Sequence, residues 1–261
     1  MDTPATAGEH LRQLRRQARL SQLDLALITG ISQRHLSCLE TGRAKPSPAT
    51  LHTLLSALET PLEQCNRVFL AAGFAPRYTA TPLTSPAMAA IREAVEHVLH
   101  ANNPAPAILL GSHWDVLAAN ASTGVLFELL GIEPRADGLN LLTTLLQPGG
   151  LGDHLVNAEE IRSLAWQRAT REALGDPTLA ALLANLPKPG NADLPKALPP
   201  LVLTRIRSPQ GELNFLSIFT TFGMPQDITL ASLRIEHLIP ADAATWQVMR
   251  AAYEAYSALV L

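Results

Sequence analysis

Along residues 1–75 the apolar positions recur at the three- to four-residue spacing of short helices. Leu11 and Leu14 open a stripe on a first helix that ends near Arg19. Ser21 suits the N-cap of a second helix, with Asp24 three residues on, and Gly30 suits the left-handed turn that stops it. Ser32 caps a third helix carrying Leu36 and Leu39, ending before Gly42. Ser47-Pro48 opens a fourth, whose Leu51, Leu54, Leu55 and Leu58 share one face, and a fifth runs from about Leu62 to Ala72 before Gly73. Five helices with short connections predict an all-α unit over 1–75.

Residues 74–86 hold three prolines and four Ser/Thr hydroxyls, and 76–86 read as a linker. Beyond it the pattern changes. A helix over about 86–101 precedes two short β-type runs, 107–110 and 114–119, split by Gly111-Ser112-His113. Helical patterns follow over about 121–130, 139–146, 157–174 and 177–185, with Asn157 and Glu160 forming a capping-box-like start to the third. After a proline-rich stretch at 187–200, runs at 201–207, 212–222 and 228–238 read as strands, and 241–259 as a closing helix. Residues 87–261 are thus an α+β domain: two strands, a helical insert, three strands and a helix.

Charge sharpens the division. Residues 1–78 carry nine Lys+Arg against six Asp+Glu, while the remainder carries eleven against seventeen, so a basic module precedes an acidic one and an anionic partner is expected for the first. With 47% hydrophobic and 16% charged residues the chain has ample core material and is not a disordered sequence. Cys38 and Cys65 have no metal-ligand spacing and lie in apolar helical patterns. Without a long apolar run or a secretory leader pattern, the expected location is the cytoplasm, with no membrane partner.

The most informative stretch is Gln22–Leu39. A helix-turn-helix needs a small residue where its helices cross, a glycine in the turn and apolar residues on the meeting faces. Ala26, Gly30, and Leu25, Ile31, Leu36 and Leu39 occupy those positions, with Thr29 where an apolar residue is usual. The segment LRQLRRQARLSQLDLALITGISQRHLSCLETGRAKPS resembles the XRE, or lambda-repressor-like, family of helix-turn-helix regulators. The resemblance implies that the helix from Gln33 to Glu40 enters the major groove. Gln33, Arg34 and Ser37 would then read base edges, and Gln22, Arg43 and Lys45 would hold phosphates. His35 either touches phosphate or faces solvent. Arg15 and Glu40 match a structural ion pair of the family, and Arg12, Arg16 and Arg19 read as a solvated face. Double-stranded DNA with a pseudo-palindromic operator, bound by a homodimer, is the implied partner.

The segment PAPAILLGSHWDVLAANASTGVLFELLG is similar to the ligand-binding domain of MmyB-like transcription regulators, with Ala118-Ala119-Asn120 as the strand ending that leads into the first insert helix. Similarity continues through Asn140-Leu141-Leu142 and NAEEIRSLAWQRATREALGDPTLAALLANL and fades in the last strands. The resemblance implies a PAS-like domain with an antiparallel sheet and a small apolar, fatty-acid-like ligand in place of any cofactor. Leu109, Leu117, Leu126, Leu142, Trp166, Ile218 and Leu233 are the candidate wall, and Arg162, Arg168 or Arg205 the candidate cation for a carboxylate head. The alternative is a C-terminal domain that only dimerises, without ligand. No enzyme is expected. Gly149-Gly150-Leu151-Gly152 follows a helical pattern rather than a strand, as a phosphate loop would require, and Glu93, Glu96, His97 and His100 read as a solvated helix face.

Overall fold

Hydroxyl and carboxylate caps set the starts of the first four helices in the computed structural model, which describes residues 5–133, 138–190 and 201–260. Helix α1 (Ala7–Gln17) opens on a reciprocal capping box between Thr6 and Glu9, and α2 (Gln22–Thr29) on a second between Ser21 and Asp24. Ser32 caps α3 (Gln33–Glu40), and Ser47 caps α4 (Pro48–Ala57) with proline in the first turn. α5 spans Leu62–Ala71. Gly30 ends α2 at φ 70°, a conformation that strains other residues. Leu11, Leu25, Leu36, Leu39, Leu51 and Leu54 are each at most 1% exposed and form one core with Phe69. Gly8 marks the crossing of α1 and α3: a Cβ there would lie 2.4 Å from the Leu39 carbonyl oxygen.

The chain divides into two units, Met1–Thr81 with Met224–Ala231, and Pro82–Gly223 with Ser232–Leu261. The second unit begins with a short 3-10 turn and α6 (Ala89–Ala101). Its strands are β1 (Ala107–Leu110), β2 (Val116–Ala119), β3 (Thr204–Ser208), β4 (Gly211–Thr221) and β5 (Arg234–Pro240). They form an antiparallel sheet in the order β2-β1-β5-β4-β3, the arrangement of a PAS-like domain. Between β2 and β3 lie α7 (Ala121–Leu129), α8 (Leu141–Leu146), α9 (Ala158–Glu172) and α10 (Pro177–Ala184). A long α12 (Ala243–Val260) packs on α7, β4 and β5. Ile108, Leu110, Ile206, Leu213 and Phe215 face the helical insert and join its leucines in the main core.

Three local expectations change. The run 228–238 is not one strand: Ile228–Ser232 forms a helical turn, α11, because the Asp227 carboxylate accepts from the Thr229 and Leu230 amides and closes it. Trp114 is not in a strand; it sits in the β1–β2 turn at φ 68° with its indole buried. Asn157 does not cap α9; its side chain instead donates to Glu160 and the Leu203 carbonyl and accepts from the Arg205 amide, tying the helix start to β3. The later part of the proline-rich stretch, 191–200, lies outside the described residues.

Candidate functional site

The surface of α3 follows from its core contacts. Leu36, Leu39 and Glu40 point inward, which leaves Gln33, Arg34 and His35 exposed and Ser37 half-buried, with Gln33 and Ser37 stacked one turn apart on one face. The Ser32 hydroxyl accepts from the His35 amide at 3.2 Å. Arg43 and Lys45 extend from the following loop, whose amides at Arg43 and Ala44 both donate to the Cys38 carbonyl while Gly42 takes φ 72°. Gln33, Arg34, His35, Arg43 and Lys45 are thus exposed, with side chains available to a polyanion.

Beneath it lies a fixed ion pair. Arg15 donates through Nε to Glu40 Oε1 at 2.6 Å and through Nη2 to Oε2 at 2.8 Å, a bidentate fork, while its Nη1 donates to the Leu20 carbonyl. Burial alone would push the Glu40 carboxyl up, but hydrogen bonds from Arg15 and Gln22 hold it below the usual range. Gln22 Nε2 donates to Glu40 Oε2 at 2.8 Å, so one amide hydrogen of this expected phosphate ligand is already engaged.

In the second unit a cavity of about 70 Å³ lies between the sheet and the insert. Ala107, Ile108 and Leu238 line the sheet side, with Thr204. Leu126 and Phe127 of α7, Leu141 and Leu145 of α8, and Leu151 and Ile161 form the opposite wall. Of the expected wall residues, Leu126 lines this cavity. Leu142 and Trp166 belong to the surrounding core, and Leu109 and Leu233 are buried away from the lining. Leu117 and Ile218 are 48% and 49% exposed, because strand alternation turns them from the insert side.

Asn120 fixes the mouth of α7. Its Oδ1 accepts from the amides of Ala107 and Thr123 and from the Thr123 hydroxyl, and its Nδ2 donates to the Leu99 and Ala105 carbonyls. One buried side chain thus joins α6, β1 and α7. Gly150 and Gly152 let a loop pass against α8, where added Cβ atoms would sit 2.3 and 2.0 Å from the carbonyl oxygens of Thr144 and Leu145. Close backbone packing, not phosphate binding, accounts for these glycines.

None of the three candidate cations lines the cavity. Arg162 donates to the Leu145 carbonyl and pairs with Asp153, and Arg205 pairs with Glu212 across the β3–β4 hairpin. Arg168 pairs with Glu172 and stacks on Phe219 at 4.1 Å. A polar group that the sequence pattern did not single out lies on β5: Arg234 and Glu236 face the insert beside Leu238, while Ile235 and His237 face the other way. Arg234 stacks on Trp114 at 4.6 Å and reaches Glu172 at 3.5 Å, yet its Nε and Nη2 are buried without a hydrogen bond. Glu236 lines the cavity and accepts from the Ser217 hydroxyl at 2.5 Å. Burial pushes its carboxyl above the usual range, against the Ser217 hydrogen bond and the charges of Arg168 and Arg234.

A family model for the MmyB-like transcription regulator ligand binding domain matches residues 91–252. The chain belongs to the MmyB-like family. A helix-turn-helix domain model matches residues 6–68, so an N-terminal helix-turn-helix domain precedes the ligand-binding domain. The HTH-type transcriptional regulator RghRB of Bacillus subtilis (strain 168) is 42% identical over 57 residues, covering 22% of this chain and 41% of that protein. The HTH-type regulator y4dJ of Sinorhizobium fredii (strain NBRC 101917 / NGR234) is 40% identical over 58 residues, 22% of this chain and 75% of its own. The HTH-type transcriptional repressor RghR of Bacillus subtilis (strain 168) is 42% identical over 57 residues, 22% of this chain and 42% of its own. The chain thus matches less than half the length of two of these relatives. Among the described residues no helix is long and apolar enough to cross a membrane.

Proposed function

We propose that this MmyB-like regulator binds a pseudo-palindromic operator as a homodimer and that a small apolar, fatty-acid-like ligand in its PAS-like domain alters that binding. In this reading α3 lies in the major groove, with Gln33, Arg34 and Ser37 at base edges, Arg43, Lys45 and the remaining amide hydrogen of Gln22 at phosphates, and His35 beside them. The observation that carries it is the apolar cavity inside the family's ligand-binding domain, walled by Leu126 and Phe127 of α7 and Leu141 and Leu145 of α8 against the sheet. A ligand regulates only through a difference in affinity for two states, and the coupling is reciprocal. The test is titration of operator DNA with ligand-free and ligand-loaded protein at one salt concentration, after extraction and mass spectrometry of the purified chain. A change of roughly 5- to 150-fold is the expected scale. Equal affinities with binding confirmed would refute ligand control. A chain that carries and takes up no ligand would favour a domain that only dimerises.

A further inference from the structure

Arg234 is 8% exposed, and its Nε and Nη2 have no hydrogen-bond partner among the described residues. These two nitrogens form the side-on fork of the guanidinium, and the chain shows elsewhere what that fork takes. Arg15 meets both carboxylate oxygens of Glu40 through its Nε and Nη2 at 2.6 and 2.8 Å, and Arg205 meets those of Glu212 at 2.8 and 3.2 Å. The other arginines near the cavity have their Nε committed: Arg162 donates from it to the Leu145 carbonyl, and Arg168 to Glu172. Glu172 does not fill the fork of Arg234. Its Oε1 takes Arg168, while its Oε2 takes the Trp114 indole at 2.8 Å and lies 3.5 Å from Nη1, the nitrogen outside the fork. Trp114 stacks on Arg234 at 4.6 Å, which covers the guanidinium plane and leaves its edge for hydrogen bonds. Glu236, two residues along β5, accepts from the Ser217 hydroxyl and makes no bond to the fork.

We infer that Arg234 receives the head group of an anionic ligand, its Nε and Nη2 holding the two oxygens of a carboxylate whose chain runs past Glu236 into the apolar cavity. This rests on the reading of the cavity as the ligand site, and it names the residue that selects the ligand's charge. Arg234, Glu236 and Leu238 share the insert side of β5, and the last two line the cavity. Two residues of strand span about 7 Å, so a head group at the fork lies within a side chain's length of the cavity wall. Buried donors without partners are costly, and an entering carboxylate satisfies both at once. A single neutral oxygen offers no second acceptor atom to the fork and leaves the guanidinium charge unanswered. Burial also favours the neutral form of the Glu236 carboxyl beside an entering anion. The cavity's volume of about 70 Å³ suits a tail of about five carbon atoms, at roughly 10–15 Å³ for each water-sized group.

Hexanoate and hexan-1-ol share one chain and differ in the head group. The full-length protein is titrated with each at neutral pH, with binding followed by ligand-observed NMR and calorimetry. Hexanoate is expected to bind more tightly by about tenfold, or about 1.4 kcal/mol. Arg234→Met, which removes the charge and keeps an apolar chain, should lose about tenfold in hexanoate affinity and hold hexan-1-ol within about threefold. Arg234→Lys keeps the charge without the fork and should lose about threefold or more for hexanoate. Equal hexanoate affinity in wild type and a folded Arg234→Met, or in Arg234→Lys where the methionine variant does not fold, would overturn Arg234 as the head-group residue and leave the cavity as the ligand site. Hexan-1-ol binding to wild type as tightly as hexanoate would overturn the anionic head group. Failure of both probes on folded wild type would overturn the reading of the cavity as well.

Discussion

Replacing Glu40 by glutamine tests the N-terminal unit at its most constrained point. The carboxylate receives three hydrogen bonds, two from Arg15 and one from Gln22, all between 2.6 and 2.8 Å. Its side chain is 1% exposed and that of Arg15 10%, so water cannot replace the lost partner. Glutamine is isosteric but neutral, and its amide nitrogen would face donors. Breaking a buried pair by removing one charge costs about 3–5 kcal/mol. A unit of this size holds only about 4–11 kcal/mol in total at roughly 0.05–0.15 kcal/mol per residue. At about 4–8 °C per kcal/mol the melting temperature should fall by at least about 12 °C. The two units can be followed separately, because Trp114, Trp166 and Trp246 all lie in the second. Far-ultraviolet circular dichroism should show an early helical transition while tryptophan fluorescence melts as in wild type. The pH dependence has a definite sign: with the folded pKa held below the ordinary carboxylate value, the pair's stabilisation is present above that value and lost as pH falls through the folded one. Glu40→Gln should abolish that acid-side loss. A fall of less than about 1 kcal/mol would mean the pair contributes no more than an exposed one, and the reasoning would fail.

Other perturbations follow from the same geometry. Gly8→Ala places a Cβ 2.4 Å from the Leu39 carbonyl oxygen and should destabilise the N-terminal unit by about 1–3 kcal/mol in denaturant titration; an unchanged midpoint would show that α1 and α3 separate freely. Arg34→Ala should relax base preference at one operator position at a cost of about 1–3 kcal/mol, whereas Lys45→Ala should weaken all sequences alike and lower the salt slope by about one; the same pattern from both would undo their assigned roles. Because burial raises the folded pKa of Glu236, its contribution is fully present below the ordinary carboxylate pKa and lost as pH rises toward the folded value. Melting temperatures of Glu236→Gln and wild type should therefore diverge with rising pH in favour of the variant, and parallel curves would show an ordinary carboxyl.

Three helices of the N-terminal unit were legible because their starts carry their own chemistry, at Ser21, Ser32 and Ser47-Pro48, and their inward faces are marked by leucines. Gly8 was not, since a glycine in the first turn of an amphipathic helix has no turn to explain it and its reason is a contact 31 residues away. In the second unit the strand pair, insert and closing helix could be read, but not the cavity wall. In LRIEHLIP the charges alternate with Ile235 and His237, and period-two reading assigns such charges to a solvated face. This sheet packs apolar residues on its insert side, so Arg234 and Glu236 lie within the fold beside Trp114 and Ser217. Leu117 and Ile218 illustrate the converse: apolar identity alone does not choose a face.

The linker adds what composition alone leaves open. Proline and threonine in 76–86 suggest a stiffened tether, and its backbone is also held along most of its length. Asn66 Oδ1 accepts from the amides of Arg77 and Tyr78, and its Nδ2 donates to the Tyr78 carbonyl. Asp227 accepts from the Thr79 hydroxyl and from both the amide and the hydroxyl of Thr81. Arg92 Nη1 donates to the carbonyls of Leu83 and Ser85. Burial would raise the Asp227 carboxyl, but the bonds from Thr81 and Thr79 hold it below the usual range, so it stays ionised and a strong acceptor at neutral pH. Asp227 lies nine residues before Glu236 in the chain, with α11 and the start of β5 between them. Asp227→Ala removes three of the linker's hydrogen bonds and the cap of α11 at once. The expected result is faster proteolytic cleavage between residues 76 and 82, with the main thermal transitions of both units retained. Ligand control of operator binding, if carried through this segment, should shrink toward equal affinities in the same variant. Unchanged cleavage would show that Asn66 and Arg92 suffice to hold the linker and that Asp227 serves only its own helix.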